Sequence, residues 1–424
     1  MLHAWGAYKK YAWGHDVLKP LSKSYYDWYA RSLFISPIDA YSTLKVMGFD
    51  SEAERIERFV TDSLSFDEDI FVKTFEVNIR VLGGLLSMYQ YTQNPAVLQK
   101  AVDFGNRILP AFSSKTGIPY YWVNLKTGAV KGDTVNVAEG GSYLIEMGML
   151  SWFTNNARYY QAARRAMTAL HERRSAIGLL GQDISVSTGI WTNKVSHIGA
   201  CTDSYYEYLY KSWVLFHDPL MKQIWDESLV AINKYVAVEK DGRLWYGRVD
   251  MESGKPTGSY VTLWDAYFPA ILALSGDTTR AERLQQTWDY VWNLYGVEPM
   301  VYDFGKAEAR NPGYDLNPEI IESAYYLYRI TGKEKYKNMV RGYLKDLHKK
   351  CRTETAFTAL SDVRNGKQDD EMATFFLAET LKYLYLTFAP DSTFGFKNHV
   401  FNTEAHPYNT GNIDTNLTGR RLGF

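Results

Sequence analysis

Two cysteines, Cys201 and Cys351, in 424 residues allow at most one disulfide and exclude a disulfide scaffold. The eight histidines are scattered. No H-E-x-x-H and no paired-cysteine motif occurs, so a zinc enzyme is not expected. G-x-G-x-x-G, G-x-x-x-x-G-K-[ST] and G-x-S-x-G are also missing, which leaves a nucleotide cofactor or a serine-hydrolase elbow without support. No apolar run reaches the ~18 residues of a spanning helix. The opening MLHAWGAYKKYAW has no signal-peptide h-region. A periplasmic or secreted location is expected if a leader was removed ahead of Met1, and a cytoplasmic one otherwise. An excess of either charge is lacking too: 47 basic and 48 acidic side chains give a net charge of -1. No block of Lys and Arg forms a phosphate-tracking stripe, so neither nucleic acid nor a membrane is an expected partner.

Aromatic residues, by contrast, are abundant: 33 Tyr, 20 Phe and 12 Trp. Most must serve the core, because large rings dominate burial. The excess also suits a protein that stacks sugars.

An internal repeat organises the chain. An apolar, aromatic-rich helical run ends in a short polar turn, and an amphipathic run follows. The turns read MGFDSEAERI (47–56), YTQNPAVLQKA (91–101), FTNNARYYQAA (153–163), FHDPLMKQIW (216–225), LSGDTTRAERL (274–284) and ITGKEKYKNMV (330–340). Gly, Asn, Asp or Pro ends one helix and starts the next. The apolar runs begin near Ile38, Glu76, Ala138, Gly199, Val261 and Glu319; a seventh, TFFLAETLKYLYLTF (374–388), has no amphipathic run after it. Helices apolar nearly all round, such as LGGLLSMY and SAYYLY, are buried on most faces. The pattern predicts an all-α fold, an (α/α)7 barrel with an inner ring of seven helices inside an outer ring. An open solenoid of helix pairs is the alternative. No linker rich in Pro, Gly or Ser splits residues 1–424, so a single domain is expected. The segments 116–132 and 241–260 alternate and carry Gly turns, which predicts β-hairpins at one end of the ring.

Acids recur at one phase of the repeat. Asp39, Glu76, Glu139, Asp203 and Glu319 fall near the starts of inner helices, and Glu379 lies one turn into the seventh. Each alone reads as compensation of a helix dipole. Five or six, flanked by Phe, Tyr, Ile and Leu, converge at one pole of a ring, where they shift one another's pKa. Arg80, Glu207 and Glu322 follow Glu76, Asp203 and Glu319 by one turn, and Glu146 follows Glu139 by two.

At these residues the sequence resembles the class I α-1,2-mannosidases, glycoside hydrolase family 47. The resemblance rests on SPIDAYSTLKVMGF, FEVNIRVLGGLLSMY, GACTDSYYEYLYKSW, NPEIIESAYYLYRITG, FFLAETLKYLYLTF and HVFNTEAHPY, from about Trp13 to Pro407. It implies an (α/α)7 barrel plugged by a C-terminal hairpin within 389–424, a bound Ca2+, and hydrolysis of α-1,2-linked mannosides or high-mannose glycans with inversion. By motif, Glu76 is implied as a general acid acting through a water, Asp203 as a second catalytic acid, and Glu319 as the general base. Thr403 is implied as the calcium ligand through its hydroxyl and carbonyl. Arg80, Glu139, Glu146, Glu207, Glu322, Phe375, Glu379 and Glu404 are implied to line the sugar site or to hold the calcium's waters, with Phe375 stacked under mannose. A monomer is expected. Inversion requires an acid and a base roughly 6.5–9.5 Å apart, which residues on different inner helices can supply. Glu76, between Phe75 and Ile79, is expected to be poorly solvated, as suits an acid.

Three positions depart from the family pattern. Asn317 stands where an Arg is common, Leu263 where a His is common, and Ala266 where a disulfide Cys is common. The first two predict looser contacts to the leaving sugar. The third, with the compact length, points to a bacterial member. Two rival readings share these features: another α/α-toroid glycosidase or sugar isomerase, and a non-catalytic helical scaffold that binds glycan or peptide.

Overall fold

In the first inner helix, Ile35–Val46, every residue from Ile35 to Leu44 is buried. Its outer partner, Asp50–Asp62, buries only Ala53, Ile56 and Val60, spaced three and four apart on one face. This contrast repeats around the computed structural model, which describes residues 1–424. The later inner helices run 74–92, 137–154, Asp203–Phe216, 263–274, Glu319–Thr331 and 376–388. Their outer partners are Pro95–Ile108, Arg158–His171, Pro219–Tyr235, Thr278–Tyr295 and Glu334–Lys350. The fold is the expected (α/α)7 barrel.

The seventh inner helix takes its outer partner from the other end of the chain. Helix Leu2–Tyr11 lies beside the first outer helix, where Trp5 Nε1 donates to Glu52 at 3.1 Å. At its start, His3 bonds the Thr353 carbonyl beyond the sixth outer helix and packs on Phe357, which itself packs on Phe376. The N-terminal segment therefore closes the outer ring.

The turns from inner to outer helix are short for local reasons. Gln93, Asn155, His217 and Gly332 cap inner helices in the left-handed conformation. Asn94 and Asp218 accept N–H bonds at the next helix start, each followed by a Pro whose missing N–H is no loss there. The long connections gather at the opposite pole, where inner helices begin. They form small antiparallel sheets, including the hairpins 122–131, 237–246 and 248–258. Both predicted hairpin segments thus carry strands.

The barrel is plugged by the C-terminal hairpin His399–Phe401 with Pro407–Asn409. Its tip reaches the second inner helix, where Asn402 Nδ2 donates to the Ile79 carbonyl at 3.0 Å and Tyr408 Oη to the Gly83 carbonyl at 2.9 Å. Glycine at 83 makes room for this contact, since a Cβ there would stand 2.7 Å from Asn402 Nδ2 and push the hairpin side chain away. One apolar core of 122 buried residues runs through all seven helix pairs. No helix is long and apolar enough to cross a membrane.

Candidate active site

A cavity of about 340 Å³ opens at the pole where the inner helices start, above the hairpin tip. That is the lower end of ligand-pocket sizes. Eight of its lining residues are acids: Glu76, Glu139, Asp203, Glu207, Glu319, Glu322, Glu379 and Glu404. Arg80 is the one cation among them. Phe375 and Thr403 also line it, together with Phe75, Asn136, Trp264, Tyr267 and Asn317, which the sequence reading had not chosen for the site or had flagged only as a departure.

The second inner helix delivers Glu76 and Arg80 as a pair, with Arg80 Nε 3.0 Å from Glu76 Oε2. A π-helical turn, Asn78–Leu82, carries Arg80 inward. There it also binds Glu404 and lies 3.6 Å from Asp39. A second π turn, Phe376–Thr380, carries Glu379. Such turns insert one residue into the ladder and recur at functional sites. Glu76 is less enclosed than its apolar neighbours suggested: its side chain is 24% exposed.

Two of the expected positions lie below the cup. Glu146 is fully buried and absent from the cavity wall. Its oxygens accept from Tyr208 at 2.6 Å, Asn402 at 2.7 Å and Asn78 at 2.9 Å. The inner helix breaks at Ser142–Tyr143 between Glu139 and Glu146, and Glu146 lies beyond the cavity, where it anchors the hairpin residue beside Thr403. Asp39 is likewise fully buried and faces Arg80 and His406. Glu139 lines the cavity but also closes a capping box with Asn136, so part of its hydrogen bonding serves its own helix.

Burial dominates the electrostatics. It pushes Asp203 up to about 8, with Glu207 and Asp265 adding to the shift and the Ser204 N–H opposing it. Burial also pushes Glu319 up to about 8, against a weak bond from Asn317 Nδ2 at 3.4 Å. Glu319 Oε2 has no hydrogen-bond partner. Glu322 is pushed up to about 7 by burial, although Lys211 stands 3.7 Å away, and Glu139 to about 6. Glu379 and Glu404 lie well above the usual carboxylate range, again through burial first and neighbouring acids second. Lys211, which pairs with Glu207 and Glu322, was not singled out in the sequence. Its i,i+4 spacing from Glu207 was the available signal.

Leu263 and Ala266 are buried and away from the cavity, whereas Asn317 reaches it. Both cysteines are free thiols.

A ring of inner-helix acids on an (α/α)7 barrel sealed by a hairpin agrees with a family-level match: the model for glycosyl hydrolase family 47 covers residues 1–410. The chain belongs to glycosyl hydrolase family 47. Among family relatives, an alpha-mannosidase I of Arabidopsis thaliana is 36% identical over 96% of this chain and 75% of its own length. The ER degradation-enhancing alpha-mannosidase-like protein 2 of Homo sapiens is also 36% identical, with the same coverage. The solved alpha-1,2-mannosidase from Trichoderma reesei superposes with a TM-score of 0.87 at 26% identity, covering 96% of each chain. As a family 47 member the chain is a glycoside hydrolase, which sets aside the scaffold reading.

Proposed function

We propose that this family 47 hydrolase is an inverting exo-α-1,2-mannosidase that removes terminal α-1,2-linked mannose, with Ca2+ bound at the base of the cup. One observation carries the reading. Glu76, Asp203 and Glu319 face one sugar-sized cavity from the second, fourth and sixth inner helices, so acid and base stand on separate walls. The names of the Arabidopsis, human and Trichoderma relatives support the choice of α-mannoside.

Asp203 keeps its proton at neutral pH and donates it to the leaving oxygen. Glu76, held by Arg80, orients the water through which that proton passes. Glu319 shares the raised pKa in the metal-free protein, so it is the base only in its ionised form, which a neighbouring cation would favour; its Oε2, free of protein partners, then takes a proton from the attacking water. That water's oxygen bonds to C1 on the face opposite the breaking C1–O bond, so α-linked substrate yields β-mannose. Phe375 lines the cavity and offers a flat apolar face to the sugar ring, with the Arg80 guanidinium 5.8 Å from the ring centre.

The residues fit a calcium ion. Calcium takes six to eight oxygen ligands, water and carbonyls among them. Thr403 lines the cavity amid carboxyls that burial pushes toward their neutral form, and a cation among them would offset that cost. No three Asp, Glu, His or Cys side chains converge on one point, so these acids would hold the ion's waters rather than the ion. Bound Ca2+ supplies a positive charge that favours the ionised state of nearby carboxylates, and sites for sugar hydroxyls and water.

With Leu263 buried and Asn317 short, polar contacts to the leaving sugar are few. Short α-mannosides and several branches of a high-mannose glycan are therefore expected substrates, for a protein acting as a monomer. A bacterial source is suggested by Ala266 in place of the family's disulfide Cys; the named relatives are eukaryotic. The test is hydrolysis of α-1,2-mannobiose with and without chelator. Turnover that stops with chelator and returns with Ca2+ supports the proposal; no turnover with Ca2+ present contradicts it.

A further inference from the structure

Between Val261 and Ala273 every residue is buried except Trp264. The largest side chain of this stretch is thus the one turned out, onto the wall of an acidic cup. Burying an indole would release apolar surface from water, so its exposure to the cavity needs a reason.

The turn that holds it is tightly built. Leu263–Tyr267 is a short 3-10 helix closed by a capping box between Thr262 and Asp265. Arg248 grips Asp265 with two bonds, at 2.9 and 3.1 Å, and both side chains are about 2% exposed. The same carboxylate packs on Gly199, where a Cβ would stand 1.6 Å from Asp265 Oδ1. Beside it the Ala200 N–H points to Thr262 Oγ1 at 3.4 Å. Residues 199–200 lead directly into Asp203. One buried polar knot therefore fixes Trp264 in register with Asp203.

We propose that Trp264 is a specificity-determining platform for the leaving sugar. This rests on the reading of Asp203 as the proton donor. A donor that reaches the glycosidic oxygen through one water still stands on the leaving side of that oxygen, so an aromatic face locked to the donor's own segment meets the leaving sugar there. Pyranose rings carry faces of C–H groups that pack on aromatic rings, and such packing tolerates different linkages and branches. It stands in this chain beside Leu263, which is buried and makes no polar contact to that sugar.

The test compares Trp264→Ala, Trp264→Phe and wild type on two probes: α-1,2-mannobiose, which has a leaving sugar, and α-mannosyl fluoride, which has none. For Trp264→Ala, kcat/KM should fall about 10-fold further on the disaccharide than on the fluoride, mainly through KM. Trp264→Phe, which keeps an aromatic face, should recover most of that difference. Equal losses on both probes, or no loss on the disaccharide, would overturn the role of Trp264. Wild-type enzyme that hydrolyses neither probe would overturn the mannosidase reading itself.

Discussion

Glu319→Gln should destroy activity and, in the metal-free protein, flatten part of the pH dependence of stability. Burial raises the Glu319 pKa from 4.5 to about 8. A carboxyl raised in this way contributes stability that is fully present below about pH 4.5 and is lost as pH rises through about 8. At 1.36 kcal/mol per pKa unit, the folded state is disfavoured by roughly 1 kcal/mol at pH 5 and roughly 4 kcal/mol at pH 8. Water entering the cup and coupling to Asp203 reduce this, so about 1–3 kcal/mol of pH-dependent loss is assigned to Glu319. Glutamine cannot ionise and can still accept the Asn317 bond. The assay is urea unfolding in chelator at pH 5 and pH 8, for wild type and variant. Asp203 and Glu322 produce a slope in both proteins, so the readout is the difference between slopes. Identical slopes, or a variant less stable than wild type at pH 8, would refute the assignment of an uncompensated buried charge to Glu319.

Glu76→Gln and Glu319→Gln should each lower kcat by at least about 10²-fold while circular dichroism stays native, since general acid–base groups typically supply 10²–10⁴-fold; near wild-type kcat in either would remove that residue from the chemistry. EDTA should abolish turnover of α-1,2-mannobiose and Ca2+ should restore it, and full activity in protein shown to be metal-free by elemental analysis would refute the calcium site. With Asn317 and buried Leu263, digestion of a high-mannose glycan should remove terminal α-1,2 mannose from more than one branch, as read by mass spectrometry; a strict single-branch product would contradict the loose leaving-sugar contacts.

The ring was legible because burial on all faces leaves its mark on composition. IRVLGGLL and SAYYLY have no polar stripe, and their outer partners do. The acids were legible for the same reason: Glu76, Asp203 and Glu319 interrupt apolar surroundings at one phase of the repeat. What the sequence could not show depends on contacts between distant segments. Leu2–Tyr11 carries only a weak amphipathic pattern, and its role follows from meeting Phe357 and Glu52. The seven-residue spacing puts Glu146 on Glu139's face only in an unbroken helix; the break at Ser142–Tyr143 and the hairpin residue Asn402, far along the chain, take its carboxylate below the cavity. The π turns at 78–82 and 376–380 shift the phase of Arg80 and Glu379 by one residue, beyond what a 3.6-residue period can resolve. Trp264 sits in a run of apolar residues with nothing in the sequence to set it apart, and its place on the cavity wall depends on the contact of Asp265 with Gly199, far earlier in the chain.

The central claim is that acid and base act from separate walls of the cup in a single displacement. The most direct measurement is the anomer of mannose released in the first moments of α-1,2-mannobiose hydrolysis, read by proton NMR before mutarotation. β-Mannose as the initial product is the predicted result. Initial α-mannose would mean a covalent glycosyl-enzyme and would contradict the roles given to Asp203 and Glu319.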